Sequence, residues 1–392
     1  MNQDELAADL ARRAEKIRTE MGGPDRIERL HAAGRSTVRE RIDALVDVGS
    51  FREIGRFAHS ANPDDRDSTP GDGKIGGEGA IDGRPVAIVG DDITVRKASS
   101  AIVGTRKISR LFERATERGM PFVYVGETGG GRIPDLIGAE GISDVAPSPY
   151  IARRRRRIPM ASVIVGQSFG GSSFESAFSD FVVQVRGSVL AVTSPRVFEI
   201  ATGEIVSFEE LGGVDVHARL TGQIDLGVES FDEAYQAVRR WLSYLPPNAW
   251  TEAPRRGDRA SLDADPSLAA LVPAARRRGY DMRRFCQALL DDGSFFELQP
   301  LYARNLTTAL GRLDGFSVGI VANNPMFNAG VLDPAGLPQG DPPLRASATH
   351  STCRSSSRWT PGFMVGKAWS TTGSCRWPSA SWRRWPTCPP PR

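Results

Sequence analysis

Two glycine-rich turns hold most of the chemistry that this sequence offers. The first, GETGGGRIPD from Gly126 to Asp135, sets Gly129, Gly130 and Gly131 after an apolar run and places Arg132 directly behind them. Glycine lets backbone amides approach an anion, and a helix starting there adds its positive end. A tight strand-to-helix connection uses glycine in the same way, so this turn alone leaves both readings open. The second, GQSFGGSSFESAFSDF from Gly166 to Phe181, again follows an apolar run and opens a helix-like segment. Its Gly170 and Gly171 are placed to offer amides to a developing negative charge, a backbone oxyanion hole. Close packing of helix on strand explains the pair equally well.

The loudest charge signal is Arg153 to Arg157, five arginines in a row. Such a run attracts phosphates of a nucleic acid or of a nucleotide-bearing cofactor. The plainer reading is a solvated helix end between the turn Pro147 to Tyr150 and the apolar strand Met160 to Val165. With a net charge of only +3 and no aromatic or basic motif around the run, nucleic acid is not an expected partner. The four cysteines, Cys286, Cys353, Cys375 and Cys388, lack the close spacing of zinc sites or redox pairs, so no bound metal and no disulfide scaffold are expected. The start, MNQDELAADLARRAEKI, does not read as a secretory signal, and no stretch reaches the roughly 18 apolar residues of a membrane span. A cytoplasmic protein without a membrane partner is expected.

The elements that must hold the two turns follow from periodicity. Leu6, Leu10 and Ile17 predict one amphipathic helix, and Val38, Ile42, Leu45 and Val46 another. After Gly71 short apolar runs predict buried strands at Val86 to Val89, Phe122 to Val125, Ser162 to Val165 and Val189 to Val192. Several are followed by a glycine turn and a helix-like segment, the alternation of an α/β layered fold. SYLPPNAWTEAP, from Ser243 to Pro254, has the proline density of a linker.

An internal repeat is more informative still. ALVDVGSFREI, from Ala44, returns as ALLDDGSFFEL from Ala288, and GAIDGRPVAIVGDD, from Gly79, returns as GRLDGFSVGIVANN from Gly311. Two copies of one α/β fold are expected, the second beginning near Asp263.

The second copy changes character. From Leu337 onward the only Ile, Leu or Val residues are Leu337, Leu344 and Val365, Glu is absent, and five of the seven Trp sit with three of the four Cys. So few aliphatics do not offset the ordering entropy of a core, and a disordered tail is expected. Within it TPGFMVGKA, Thr360 to Ala368, is domain-like, and Thr360 and Gly362 follow Thr128 and Gly130 by the same offset that separates Gly79 from Gly311. Back-translated with G/C-favouring codons and read in another frame, Ala348 to Thr360 can give the strand-like DAFNVPLIFPVD. A reading frame that slips near Gly336, returns near Thr360 and slips again after Ala368 accounts for both observations.

Taken together, RERIDALVDVGSF, GDGKIGGEGAIDGRPVAIV, GGGRIPD, the Gly170 turn, TGEIVSFEELGG, LSYLPPN, DDGSFFELQ, GIVANNPMFNAGVLD and TPGFMVGK resemble the carboxyltransferase (beta) subunit of biotin-dependent acyl-CoA carboxylases, such as propionyl-CoA carboxylase. The likeness runs from about Arg39 to Gly336 and returns at Thr360. The resemblance implies two repeated crotonase-like (ClpP/crotonase) β-β-α superhelix domains, the second incomplete. Residues 1–250 form the acyl-CoA side, 263–336 an incomplete biotin side and 337–392 an aberrant tail. It further implies a carboxyl group moved from carboxybiotin to the α-carbon of an acyl-CoA through an enolate, with two transient anions held by backbone oxyanion holes.

Carried over residue by residue, Gly170 and Gly171 match the hole for the thioester enolate, and Gly129, Gly130, Gly131, Arg132 and Lys97 fall on the substrate side. Asn323, Asn324, Ala329 and Gly330 match the first turn of the biotin side, with Gly362 and Phe363 in the segment that returns. The implied cofactor is biotin on a partner carrier domain, with acyl-CoA as substrate. Implied partners are the biotin carboxylase/biotin carboxyl carrier subunit and further copies of the chain, since the family forms hexamers. The resemblance places the biotin-side hole near position 402, so impaired activity is expected.

Two departures stand out. Arg96, Lys97 and Ala98 replace a glycine-rich turn, and TGGGRIPDL replaces SGGARIQEG. Arg96 and Lys97 are candidates for CoA phosphates, although exposed basic residues on a turn are more often only solvated. His217 aligns with a family histidine near the substrate, where a structural hydrogen-bonding role is expected. Two further readings stay open: a biotin-dependent decarboxylase subunit, and a non-catalytic pseudoenzyme that keeps only binding.

Overall fold

A computed structural model describes residues 2–133, 135–145, 151, 156–256, 267–275, 278–331 and 363–367. Its larger sheet holds β1 (Arg52–Ile54), β2 (Lys74–Ile81), β3 (Arg84–Asp91), β4 (Phe122–Thr128), β5 (Met160–Phe169), β6 (Phe181–Val185), β7 (Val189–Ala191) and β8 (Leu226–Val228). The order is β1-β2-β3-β4-β5-β6-β8, with β7 beside β5. The pairs β1–β2 and β2–β3 are antiparallel, and from β3 onward every neighbour is parallel. The β2–β3 hairpin closes through Asp82 and Gly83, both left-handed (φ 51° and 74°), the two-residue turn whose twist suits paired strands.

Alternation along the strands fills two layers. Val86 and Ile88 point toward α3 (Val38–Leu45) and a later helix, whereas Ala87 and Val89 point toward α4 (Ile102–Arg118). Every residue of β4 is buried, as a parallel strand covered on both faces requires. The four predicted runs fall on β3, β4, β5 and β7, and the predicted Val38–Val46 helix is α3, with those apolar residues buried. The predicted amino-terminal helix is α1 (Gln3–Glu20), but it buries none of its residues, and Leu6 and Leu10 stay exposed.

The repeat holds down to single hydrogen bonds. A second sheet, β9 (Phe296–Leu298), β10 (Leu306–Leu313), β11 (Phe316–Asn323) and β12 (Phe363–Lys367), runs in the order β12-β11-β10-β9, antiparallel throughout. Lys74↔Asp91 and Ile81↔Arg84 bound the first hairpin, and Leu306↔Asn323 and Leu313↔Phe316 bound the second, 232 residues further on at each position. Asp47 accepts from the amides of Asp82 and Gly83, just as Asp291 accepts from those of Asp314 and Gly315. Ser50 Oγ accepts from the Ala80 amide, and Ser294 Oγ from that of Arg312. The shared D-x-G-S pattern is therefore a hairpin cap.

The expected linker is not free. A helix over Phe231–Tyr244 packs on the first sheet, and the chain after it stays buried through Leu245, Pro246 and Asn248. Trp241 stacks on Phe181 with ring centroids 5.2 Å apart, Tyr244 stacks on Phe296 of the second copy, and the Tyr244 hydroxyl donates to the Ser294 carbonyl. Asn248 Nδ2 donates to the Gly119 carbonyl. The prolines here shape a packed crossing between the copies.

Of the arginine run, Arg156 lies 3.8 Å from Asp180, and the Arg157 carbonyl accepts from the Ala249 amide. Arg153 to Arg155 lie outside the described residues, as does the tail apart from β12. Among the described residues no helix is long and apolar enough to cross a membrane.

Candidate active site

Beyond β3 the chain makes a turn in which Arg96, Lys97 and Ala98 are all left-handed, with φ of 49°, 56° and 50°. Non-glycine residues pay strain there, of order 1–3 kcal/mol each, and keep the conformation only where the surroundings fix it. Lys74 Nζ and Thr128 Oγ1 both donate to the Ala98 carbonyl, at 2.9 and 2.8 Å. The Gly129 amide donates to the Lys97 carbonyl, the Ser100 amide to that of Gly130, and the Arg132 amide to that of Ser100, at 2.9, 2.8 and 2.8 Å. The turn after β3 is thus zipped to the glycine turn after β4, which brings Lys97 against Gly129, Gly130 and Gly131.

A buried charge network stands behind the zip. Lys74 Nζ lies 2.6 Å from Asp91 Oδ1, and Asp91 Oδ2 accepts from the Tyr124 hydroxyl and the Glu127 amide. Burial first and the Asp91 charge second push the Tyr124 phenol well up. Arg132, expected among the substrate-binding residues, is turned inward: its guanidinium pairs with buried Asp72 at 2.5 Å and donates to Ser99 Oγ and the Ser99 carbonyl. Its position directly after three glycines leaves it beneath the turn, where it braces the backbone. Arg96 is likewise engaged, by Asp65 and Ser68. Lys97 stays exposed over the glycine turn.

The second glycine turn meets the first. Gly170 ends β5 with φ 63° and ψ −114°, a conformation that favours glycine, and precedes helix α6 (Gly171–Phe178), numbered after α5 (Gly138–Val145). A Cβ built on Gly170 would lie 4.0 Å from Gly130 Cα, and one on Gly171 would lie 3.2 Å from Ser100 Oγ. The Gly170 amide donates to the Val192 carbonyl at 3.1 Å, so it is occupied by the sheet. The amides of Gly171 and Ser172 have no partner among the described residues and sit at the positive end of the helix. The pair expected to form the hole therefore divides its work: Gly170 supplies the bend, and Gly171 the open donor.

His217 stabilises this arrangement from behind. It is buried, its Nε2–H donates to the Leu190 carbonyl at 2.7 Å, and its Nδ1 accepts from Thr221. That holds β7, whose continuation at Val192 receives the Gly170 amide. Burial lowers its affinity for a proton and keeps it neutral.

On the second copy the matching turn also has three left-handed residues, Asn328, Ala329 and Gly330 (φ 47°, 52° and 72°). Asn323 Nδ2 donates to the Gly330 carbonyl, and Asn324 Oδ1 accepts from the amides of Met282 and Met326. The four residues expected on the biotin side are therefore gathered in one turn. Phe363 opens strand β12 rather than a turn, and Gly362 lies outside the described residues. Sequence reasoning missed Ser100, Asp72, Lys74, Asp91 and Glu175, whose roles depend on contacts between distant segments. The one local signal was DD at Asp91–Asp92, mirrored by NN at Asn323–Asn324.

A sheet parallel from β3 onward, with two opposed glycine turns after β4 and β5 and its β2–β3 hairpin repeated after 232 residues, defines a crotonase-like fold. Residues 29–346 match the carboxyl transferase domain model, and the chain belongs to that family. It is 36% identical over 355 residues to the carboxyltransferase subunit of propionyl-CoA carboxylase from Haloferax mediterranei, covering 88% of this chain and 68% of that one. It is 37% identical to the propionyl-CoA carboxylase beta chain of Saccharopolyspora erythraea, covering 83% and 62%. A crystal structure of transcarboxylase 12S, a hexamer with hydrolysed methylmalonyl-CoA bound, superposes with a TM-score of 0.79 at 32% identity, over 86% of this chain and 67% of that one. The chain spans about two thirds of the length of these relatives.

Proposed function

We propose that this chain is a carboxyltransferase subunit that acts on an acyl-CoA, with the thioester enolate held at the Gly171 turn. The observation that carries the reading is the convergence of two glycine turns on a helix end whose first amides are open, backed by buried ion pairs that keep both turns in place. An amide fixed where charge develops contributes on the order of a hundredfold or more in rate. Gly129 to Gly131 let the thioester backbone approach closely, and Lys97 is placed to meet the phosphates of CoA.

Biotin on a partner carrier subunit would supply the carboxyl group. The Asn328–Gly330 turn is the candidate for its ring, because it repeats on the second copy the Arg96–Ala98 turn that borders the acyl-CoA side. In this reading Asn323 and Asn324 hold the turn, 263–336 is the biotin side and 1–250 the acyl-CoA side. Assembly with further copies is supported by helix α7 (Pro195–Thr202), which buries none of its residues and leaves Val197 and Ile200 exposed near Ile205. A cytoplasmic setting belongs to the same proposal. The relatives named above are carboxyltransferase subunits, which favours transfer over the decarboxylase and non-catalytic readings.

The test is calorimetric titration of the chain with propionyl-CoA, followed by transfer of labelled carboxyl after addition of a biotinylated carrier and its carboxylase. Binding is expected, with weak transfer because residues 337–392 carry so few aliphatics. Absence of binding would overturn the proposal.

A further inference from the structure

Among the described residues, one carboxylate beside the anion-binding turn has no counter-charge. Glu175 follows Gly171 by four residues on the same eight-residue helix, which sets it about 6 Å along the axis from that amide. Its Oε2 is sealed from solvent and has no hydrogen-bond partner among the described residues, while the side chain as a whole is half-buried.

The strands around it supply no free cation. From β3, Asp91 has both oxygens occupied, by Lys74 Nζ and by the Tyr124 hydroxyl with the Glu127 amide. From β2, the Lys74 ammonium is committed to Asp91 and the Ala98 carbonyl. From β4, Tyr124 donates to Asp91, and Glu127 is held by Arg35 and Arg41. The other strands packed on the helix, β5 and β7, carry no titratable side chain. One ammonium therefore faces two carboxylates and is already paired. A carboxyl group with one oxygen sealed and unpaired there holds a proton more readily than a solvated one. Burial first and the Asp91 charge second push the Glu175 carboxyl up to about 8.

We propose that Glu175 is held as a neutral carboxylic acid behind the Gly171 turn, and that its ionisation closes the turn to developing negative charge. The inference rests on the reading of that turn as the enolate site. Once ionised, Glu175 sets a negative charge within a helical turn of the donor amide and cancels the attraction of the helix end. Glu175 is a positioning residue in this scheme, since it acts through Gly171 and does not touch the thioester.

Two measurements on the full chain test it. Difference infrared spectroscopy between wild type and Glu175→Gln reads the carboxylic-acid C=O stretch without any turnover. A band present at about pH 6 and lost at about pH 10 is expected, and a group already ionised at about pH 6 overturns the proposal. The second measurement titrates both proteins with acetoacetyl-CoA, whose enolate absorbs in the ultraviolet. At about pH 9.5 Glu175→Gln is expected to bind the enolate about tenfold more tightly than wild type, with equal affinities at about pH 6. Equal affinities at both pH values overturn the proposal. Failure of either protein to bind the thioester at any pH counts instead against the enolate site itself, with the infrared band still deciding the state of Glu175.

Discussion

Lys74 Nζ and Asp91 Oδ1 meet at 2.6 Å with both side chains enclosed, and the same ammonium reaches the Ala98 carbonyl. This pair ties the β2–β3 hairpin to a strained turn that the glycine loop needs as a partner. Removing one member leaves a buried charge unmatched, which typically costs about 3–5 kcal/mol. Lys74→Met is therefore expected to lower stability by that amount in denaturant unfolding. Lys74→Met with Asp91→Leu is expected to cost less than the two single changes added together. A strictly additive double mutant would show that the pair is not coupled.

Ser100 and Gly171 make a steric prediction. A methyl group on Gly171 would sit 3.2 Å from Ser100 Oγ. Ser100 is held on both sides, by Gly130 and Arg132, so its backbone has little room to withdraw. Gly171→Ala is expected to cost about tenfold or more in transfer rate, because small displacements of a reacting group are costly. Ser100→Gly in the same chain is expected to restore part of that loss, as read by kcat, with propionyl-CoA binding nearly unchanged throughout.

The neutral His217 makes a prediction about acid. Burial holds its pKa below the ordinary 6.5, so the unfolded chain binds a proton that the folded chain resists. The sign follows directly: the contribution to stability is present above about pH 6.5 and is lost as pH falls through the lower folded value. His217→Gln, which keeps a donor for the Leu190 carbonyl, is expected to flatten the stability curve below about pH 6.5. Thermal unfolding at several pH values measures this. An unchanged slope would assign the acid sensitivity elsewhere.

Much of the fold was legible because its signals are local. D-x-G-S caps a hairpin at both of its places in this chain, so Asp47 with Ser50 and Asp291 with Ser294 announced two copies of one unit. The glycine turns were legible as places where backbone approaches something, but not how Gly170 and Gly171 divide the task, since the Val192 carbonyl that occupies the Gly170 amide lies more than twenty residues away. Arg132 reads as a free cation until Asp72 is seen beneath it, sixty residues earlier. Glu175 reads as an ordinary helix residue, and only the saturation of Asp91 by three donors shows that it stands alone. The segment from Ser243 to Pro254 has the composition of a loop, whereas stacking of Trp241 and Tyr244 on rings of both copies makes its first half core.

The edge of the second sheet carries the last prediction. In the first copy β3 pairs in parallel with β4, Ala87 opposite Phe122, and β4 is buried at every residue. In the second copy β11 pairs with β12 in the opposite direction, Gly319 opposite Gly366. The constant offset assigns the counterpart of β4 to residues 354–360, which read RSSSRWT. A segment with one large apolar side chain in seven does not fill a strand position buried on both faces. Phe363–Lys367 takes the edge instead, and because it lies past the expected strand it reaches that edge from the other direction. Local polarity and reversed pairing have one common cause if the codons before Thr360 are read out of frame. Sequencing the gene across Gly336 to Arg392 in all three frames is then expected to yield one frame with an apolar run at 354–360. A gene that encodes RSSSRWT without interruption sinks the frame-slip hypothesis and leaves β12 as the native edge of the sheet.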